Sequence, residues 1–230
     1  MAITRPHQRG NVFFLILLGI AMFAMVSMAI MQSTRGGKDI TREKSRLLAE
    51  TIMRYGREAK DATTRIYQKG VSEADIRFAH PKMAADYGAI TDNPTNQMFA
   101  DEGGGLPYTI PPADAVAAAT NWEIYGTSAI PQVGSALADL VLVLPNVKPS
   151  ICQQINALNG YAEEDAIPTD SNVDGQCIAS ANASDRFTGT FATGGAIHAP
   201  GTTGFLTVPA YQACVNCGGV YTYYNVLMER

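Results

Sequence analysis

The sequence predicts an α+β fold in which one long N-terminal helix packs on an antiparallel β-sheet head with disulfide-stapled loops. Three observations predict it. Residues 12–31 are apolar apart from Ser27. Residues 38–69 lack proline and repeat apolar side chains at helical spacing. Residues 70–230 then alternate short β-branched or aromatic runs with clusters of Gly, Pro, Asn and Asp, the punctuation of strands and turns.

The apolar run, from 12 through 31, is 20 residues long. At ~1.5 Å per residue this matches the ~30 Å hydrocarbon core of a bilayer. Arg5 and Arg9 precede it. Three readings follow: a signal peptide cleaved near Ser27-Met28-Ala29, a permanent anchor, and a helix first held in the inner membrane and then packed against copies of itself. The run exceeds the ~7–15 residues of an ordinary signal-peptide apolar region. With so few polar side chains its association must come from close packing, and Gly19, Ala21, Ala24, Ser27 and Ala29 are the small positions that would permit it.

The helix continues past the apolar run. Leu48, Ile52, Tyr55, Ala59, Ala62 and Ile66 recur at spacings of three and four and fall on one face. The opposite side carries Glu50, Arg54 and Glu58 in one i,i+4 row and Arg57, Asp61 and Arg65 in another, which reads as a solvated face. Gly36-Gly37 lies between the two halves, where each glycine weakens a helix by ~1 kcal/mol.

A basic leader ending in Gly10, followed at once by Asn11-Val12-Phe13-Phe14-Leu15 and a helix that turns from apolar to amphipathic, resembles the N-terminus of type IV pilins and of the pseudopilins of type II secretion systems. The resemblance covers residues 1–70. It implies cleavage between Gly10 and Asn11, an apolar half-helix (12–31) that enters a membrane or filament core, an amphipathic half (38–69), and an extracytoplasmic head over 71–230. Members of the family usually carry glutamate at the fifth mature position, where this chain has Leu15. That substitution removes a register-setting carboxylate from an apolar setting and points to a minor, tip-type or divergent subunit.

Charge does not settle topology. Arg35, Lys38, Arg42, Lys44 and Arg46 follow the apolar run, so the positive-inside rule places the C-terminal side in the cytoplasm, while the cysteines place it in an oxidising compartment. The net charge of −4 combines a basic N-terminal third with an acidic remainder, which argues against nucleic acid as a partner of the head.

Within the head, residues 71–87 predict a short helix capped by Ser72 and interrupted at Pro81, and 91–112 a loop. Strands are predicted at 121–125, 139–144, 186–192 and 219–227, and a helix from Pro149 through 158 that Gly160 ends. The glycines at 103–105 lack the Gly-Lys-Ser/Thr ending of a phosphate loop.

Cys152, Cys177, Cys214 and Cys217 allow three disulfide connectivities, and nearness in the chain favours Cys152 with Cys177 and Cys214 with Cys217. A zinc or redox role for Cys214-Val215-Asn216-Cys217 lacks a second close cysteine pair and a following helix. Asp170, Asn172, Asp174 and Gly175 follow the order that opens a calcium loop, but Ala181 stands where a bidentate glutamate closes one. The same residues also read as an Asx-rich turn, so the expectation is no cofactor, with calcium as the alternative. His7, His80 and His198 show no local pattern with a nucleophile and an orienting acid, which argues against an enzyme. The resulting expectation is a pilin-like structural subunit, anchored in the inner membrane and then carried in an extracellular or periplasmic filament of like subunits. The alternative is an anchored or secreted extracytoplasmic binding domain that does not polymerise.

Overall fold

The computed structural model describes residues 12–130, 132–161, 167–170, 186–191 and 210–230, with side chains in the long helix at 13–28 and 41–68. The architecture is α+β, and the chain divides into two compact units, Met1–Lys44 and Ser45–Arg230. Helix α1 is assigned from Val12 to Gln68 without a break at Gly36-Gly37. In the first unit the side chains of 13–28 are exposed, with Ser27 half-buried. These described positions number 16, all apolar except Ser27, short of the ~20 a bilayer requires. Among the described residues no helix is long and apolar enough to cross a membrane.

In the second unit, residues 45–68 of α1 pack on a four-stranded sheet. Ile52, Tyr55, Ala59, Ala62 and Ile66 are buried, as their helical spacing requires, while Leu48 is half-buried and Ala49 takes the core position beside it. The strands are β1 (Glu123–Ser128), β2 (Asp139–Leu144), β3 (Gln212–Cys217) and β4 (Val220–Met228), in the order β1-β2-β4-β3 with every pairing antiparallel. All six residues of β2 are buried, which explains its continuous apolar sequence. Ile124, Leu142, Leu144, Cys214 and Tyr223 join the core formed with α1 and with Ile76, Phe78 and Met98. Val141, Val143, Val215, Tyr224 and Val226 form a second core with Ile130, Val133, Tyr161 and Ala210.

Helix and sheet meet closely at Gly56. A Cβ there would overlap the Tyr223 hydroxyl and stand 3.1 Å from Asn225 Cβ. Asn225 Nδ2 donates to the Gly56 carbonyl at 3.0 Å, so the missing side chain lets β4 bond directly to the α1 backbone. Helix α2 (Pro149–Asn159) starts with proline at its first position and stops at Gly160, whose φ of 73° lets its N–H reach the Asn156 and Ala157 carbonyls.

Two of the expected elements need correction, and one strand was not expected. Residues 71–87 contain only the 3-10 turns Glu73–Asp75 and Ala85–Tyr87. Their apolar residues, Ile76, Phe78, Ala79, Met83 and Tyr87, reach the core through an irregular path that includes a bridge from Arg77 to Gln97. The strand expected at 186–192 is, where described, a single antiparallel bridge of Arg186 with Tyr125; Ala192 lies outside the described residues. The unexpected strand is β3, whose stretch carries two of the cysteines. It closes a two-residue hairpin with β4 through Gly218 (φ 60°) and Gly219 (φ 97°), a turn that needs left-handed backbone at both positions.

Candidate functional site

The described surface offers two features with functional content: an uncovered apolar helix and a sheet with covered edges. On the helix, Gly19, Ala21 and Ala24 are exposed and Ser27 half-buried. At ~100° per residue these four positions spread over roughly 200° of the helix circumference and do not form one stripe. Ser27 Oγ donates to the Phe23 carbonyl at 2.8 Å, which satisfies the hydroxyl within its own helix. Around them Phe13, Phe14, Leu15, Ile16, Leu17, Leu18, Ile20, Met22, Phe23, Met25, Val26 and Met28 are each between 48% and 76% exposed. Gly10 and Asn11, the expected cleavage site, lie outside the described residues.

The cysteine pairing differs from expectation. Cys152 on α2 is bonded to Cys214 on β3, with Cα atoms 5.3 Å apart across 62 residues of chain. The pairings of Cys152 with Cys177 and of Cys214 with Cys217 are therefore both overturned. The reason is strand periodicity: residues three apart on one strand point to opposite faces. Cys214 accordingly lies in the core on the α2 side, whereas Cys217 packs against the second core. Cys217 is also disulfide-bonded, Cys177 lies outside the described residues, and among the described residues no cysteine is free.

One helical turn beyond Cys152, Asn156 is fully buried and faces the same strand. Its Nδ2 donates to the Cys214 carbonyl and its Oδ1 accepts the Cys214 N–H, both at 2.7 Å. The side-chain amide thus takes the place of a neighbouring strand. Further along this edge, Asn216 N–H donates to the Pro168 carbonyl at 2.8 Å and Asp170 N–H donates to the Asn216 carbonyl at 3.0 Å. The other edge strand, β1, is covered in the same manner. Tyr87 Oη accepts the Ile124 N–H at 2.7 Å and donates to the Ile124 carbonyl at 3.1 Å, and Phe187 N–H donates to that same carbonyl at 2.9 Å. Arg186 holds this cover in place through Asp86 at 2.6 Å and Glu123 at 3.1 Å. Burial opposes its charge, but the bonds to Asp86 and Glu123 outweigh that and hold the guanidinium protonated.

Asp170 is buried at the β3 edge, while Asn172 and Asp174 lie outside the described residues. Among the described residues no group of three His, Cys, Asp or Glu side chains could hold a metal ion. His80 stacks on Tyr108 at 4.2 Å, and its Nδ1 accepts the Lys82 N–H at 3.1 Å. Burial and then Lys82 lower its pKa, as expected of a packed, neutral imidazole. His7 and His198 lie outside the described residues.

Sequence reasoning missed Asn156, Tyr87 and Asp139. Asp139 Oδ2 accepts the Ile130 N–H at 3.0 Å and Oδ1 accepts the Arg230 N–H at 2.9 Å, tying the end of the chain to β2. Burial pushes its carboxyl up to about 6 against the effect of these two bonds. The Cys152-x-x-x-Asn156 spacing was the one available signal, since it sets both side chains on one helix face. No family model matches the chain, and no curated protein or solved structure matches it significantly.

Proposed function

We propose that this chain is a pilin-like structural subunit, held in the inner membrane by its N-terminal helix and then assembled with like subunits into an envelope filament. The observation that carries the reading is the continuous apolar surface of residues 13–28. Twelve large side chains there are about half or more exposed, a contiguous apolar surface of the kind that marks a membrane or protein contact. Lipid or neighbouring helices of the same kind would cover such a surface on all sides. The sequence continues apolar through Met31, which brings the run to spanning length. A disulfide-bonded head is consistent with an oxidising compartment, and the backbone groups of Ile124, Cys214 and Asn216, bonded within the chain, favour the helix over strand pairing as the means of association.

N-terminal sequencing of protein recovered from membranes and from sheared surface fractions tests this reading. The expected result is a start at Asn11, with the cleaved subunit in large sedimenting assemblies. An intact Met1 on a monomer that stays in membranes would replace it with the anchored binding domain. A start at Ile30 or Met31 would indicate a secreted one.

A further inference from the structure

A small cleft of about 220 Å³ lies beside the cover of β1. Its floor is formed by the buried residues Phe78, Tyr87, Gln97 and Phe187. Its mouth carries Arg77, which is half-buried, and the exposed Asp86, Asp92 and Asn93. All of these residues belong to the second unit, so the cleft does not depend on assembly through the N-terminal helix.

Two opposite charges in this cleft are unmatched. Among the described residues Arg77 has no carboxylate within ion-pair distance and Asp92 has no cation, nor do the two pair with each other. Arg77 Nη1 donates to the Ala74 carbonyl at 2.6 Å and to the Ile76 carbonyl at 3.0 Å, which fixes the guanidinium, while its Nε and Nη2 donate to nothing among the described residues. Gly189, at φ 113°, makes room for this group: a Cβ there would stand 2.8 Å from the Ala74 carbonyl oxygen and 3.1 Å from both terminal nitrogens of Arg77. Asp92 Oδ2 accepts only the Ala89 N–H, at a long 3.4 Å. Asp86 differs, since Arg186 neutralises it at 2.6 Å.

A lone anion drawn to Arg77 would leave Asp92 unmatched and be repelled by it, and a lone cation at Asp92 would meet the reverse. A ligand carrying both signs satisfies both groups. The cleft is smaller than the ~300–1,000 Å³ pockets of drug-sized ligands, so that ligand must place its two charges within a few bonds of each other. A metal ion does not answer the description, because the described residues supply no group of three ligating side chains. We propose that this cleft binds a small zwitterion of the α-amino acid class, its carboxylate on the Nε–Nη2 edge of Arg77 and its ammonium on Asp92. The aromatic floor of Phe78, Tyr87 and Phe187 receives the ligand's carbon atoms. Asn93, whose side chain does not cap the turn it opens, adds a polar group at the mouth.

Equilibrium dialysis of the oxidised full chain in detergent against each of the common L-α-amino acids tests the site. The expected result is retention of at least one of them, one per chain. Its N-acetyl derivative and its methyl ester should each bind about tenfold more weakly or worse, since each lacks one of the two charges. Asp92→Asn and Arg77→Gln should each lower the affinity of the free amino acid by a similar factor. Arg77→Gln also loses the bonds to Ala74 and Ile76, so Asp92→Asn, an exposed change, keeps the test decisive if the arginine variant does not fold. Unfolding followed by the fluorescence of Trp122 reports that each variant is folded. Failure of the unmodified chain to retain any amino acid, equal binding of the acetylated or esterified form, acetate or methylammonium bound as tightly as the amino acid, or unchanged binding by Asp92→Asn would each overturn the site. None of these outcomes bears on the filament reading.

Discussion

Gly56→Ala decides whether helix and sheet are as close as described. Two effects oppose each other. Alanine in place of glycine within a helix gains ~1 kcal/mol of intrinsic stability, so an uncrowded site would be strengthened. Here the added methyl would overlap the Tyr223 hydroxyl and lie 3.1 Å and 3.2 Å from Asn225 Cβ and Cγ. Neither neighbour can withdraw. Tyr223 is fully buried with Trp122 edge-on at 6.4 Å, its hydroxyl donates to Gln212 at 3.2 Å, and Asn225 is 3% exposed. The helix must therefore move away and stretch the bond from Asn225 to the Gly56 carbonyl. Overpacking of this kind costs ~1–3 kcal/mol and a weakened buried hydrogen bond a further ~1 kcal/mol. After the propensity gain is subtracted, the net loss is ~1–3 kcal/mol. Denaturant unfolding of the oxidised chain in detergent, followed by the fluorescence of Trp122, measures it. Tyr223→Phe removes the atom in conflict, so Gly56→Ala combined with Tyr223→Phe should lose less than the sum of the two single changes, with a coupling of ~1 kcal/mol. A Gly56→Ala chain more stable than the parent by ~1 kcal/mol would refute the close approach.

Replacing both Cys152 and Cys214 with serine should lower stability by ~4 kcal/mol, the value for releasing a loop of 62 residues, and mass spectrometry of the native chain should find these two joined to each other. Asp139 makes stability pH-dependent in a stated direction. Its folded-state pKa, raised to about 6, exceeds the unfolded value, so the folded chain binds the proton more tightly between roughly pH 4 and 6 and stability falls as pH rises through that window, by ~3 kcal/mol at most. Asp139→Asn should flatten that part of the curve, measured by unfolding between pH 4 and 8. Asn156→Ala leaves the buried N–H and C=O of Cys214 without their partner and should cost ~2–4 kcal/mol in the same unfolding measurement.

What could be read from the sequence was local. The buried stripe of α1, β2 as an unbroken apolar run and α2 between Pro149 and Gly160 each carry their signal within a few residues, and the structure forms them there. What could not be read depends on partners far along the chain. Residues 69–122 are organised around Gln97, whose Oε1 accepts the Ala79 N–H and whose Nε2 donates to the Ala89 and Asp92 carbonyls. A buried glutamine acting as a hub leaves no periodic trace. The glycines set aside as a phosphate loop have a packing role here, since a Cβ at Gly103 or Gly104 would strike the backbone of Gln97 or Met98. The disulfide was misassigned because nearness in sequence says nothing of which strand face a cysteine occupies.

The contrast between the sheet and the helix bears on the proposed assembly of like subunits. An open edge strand is a template for pairing with another chain, and proteins that polymerise by strand addition depend on one. Here the Ile124, Cys214 and Asn216 backbone groups that face outward are satisfied within the chain, in one case by a tyrosine hydroxyl and in another by an asparagine amide. A strand from a second copy would have to displace Asn156, and Cys152 on the same short helix is covalently held to the strand it covers. Opening that edge therefore requires both reduction of the bond and loss of two buried hydrogen bonds. The apolar helix surface carries no such guard: its backbone groups are bonded within the helix, its one hydroxyl is turned to Phe23, and nothing polar must be broken before another apolar surface can meet it. If copies of the chain do associate, as proposed, the helix is the path with the least to undo.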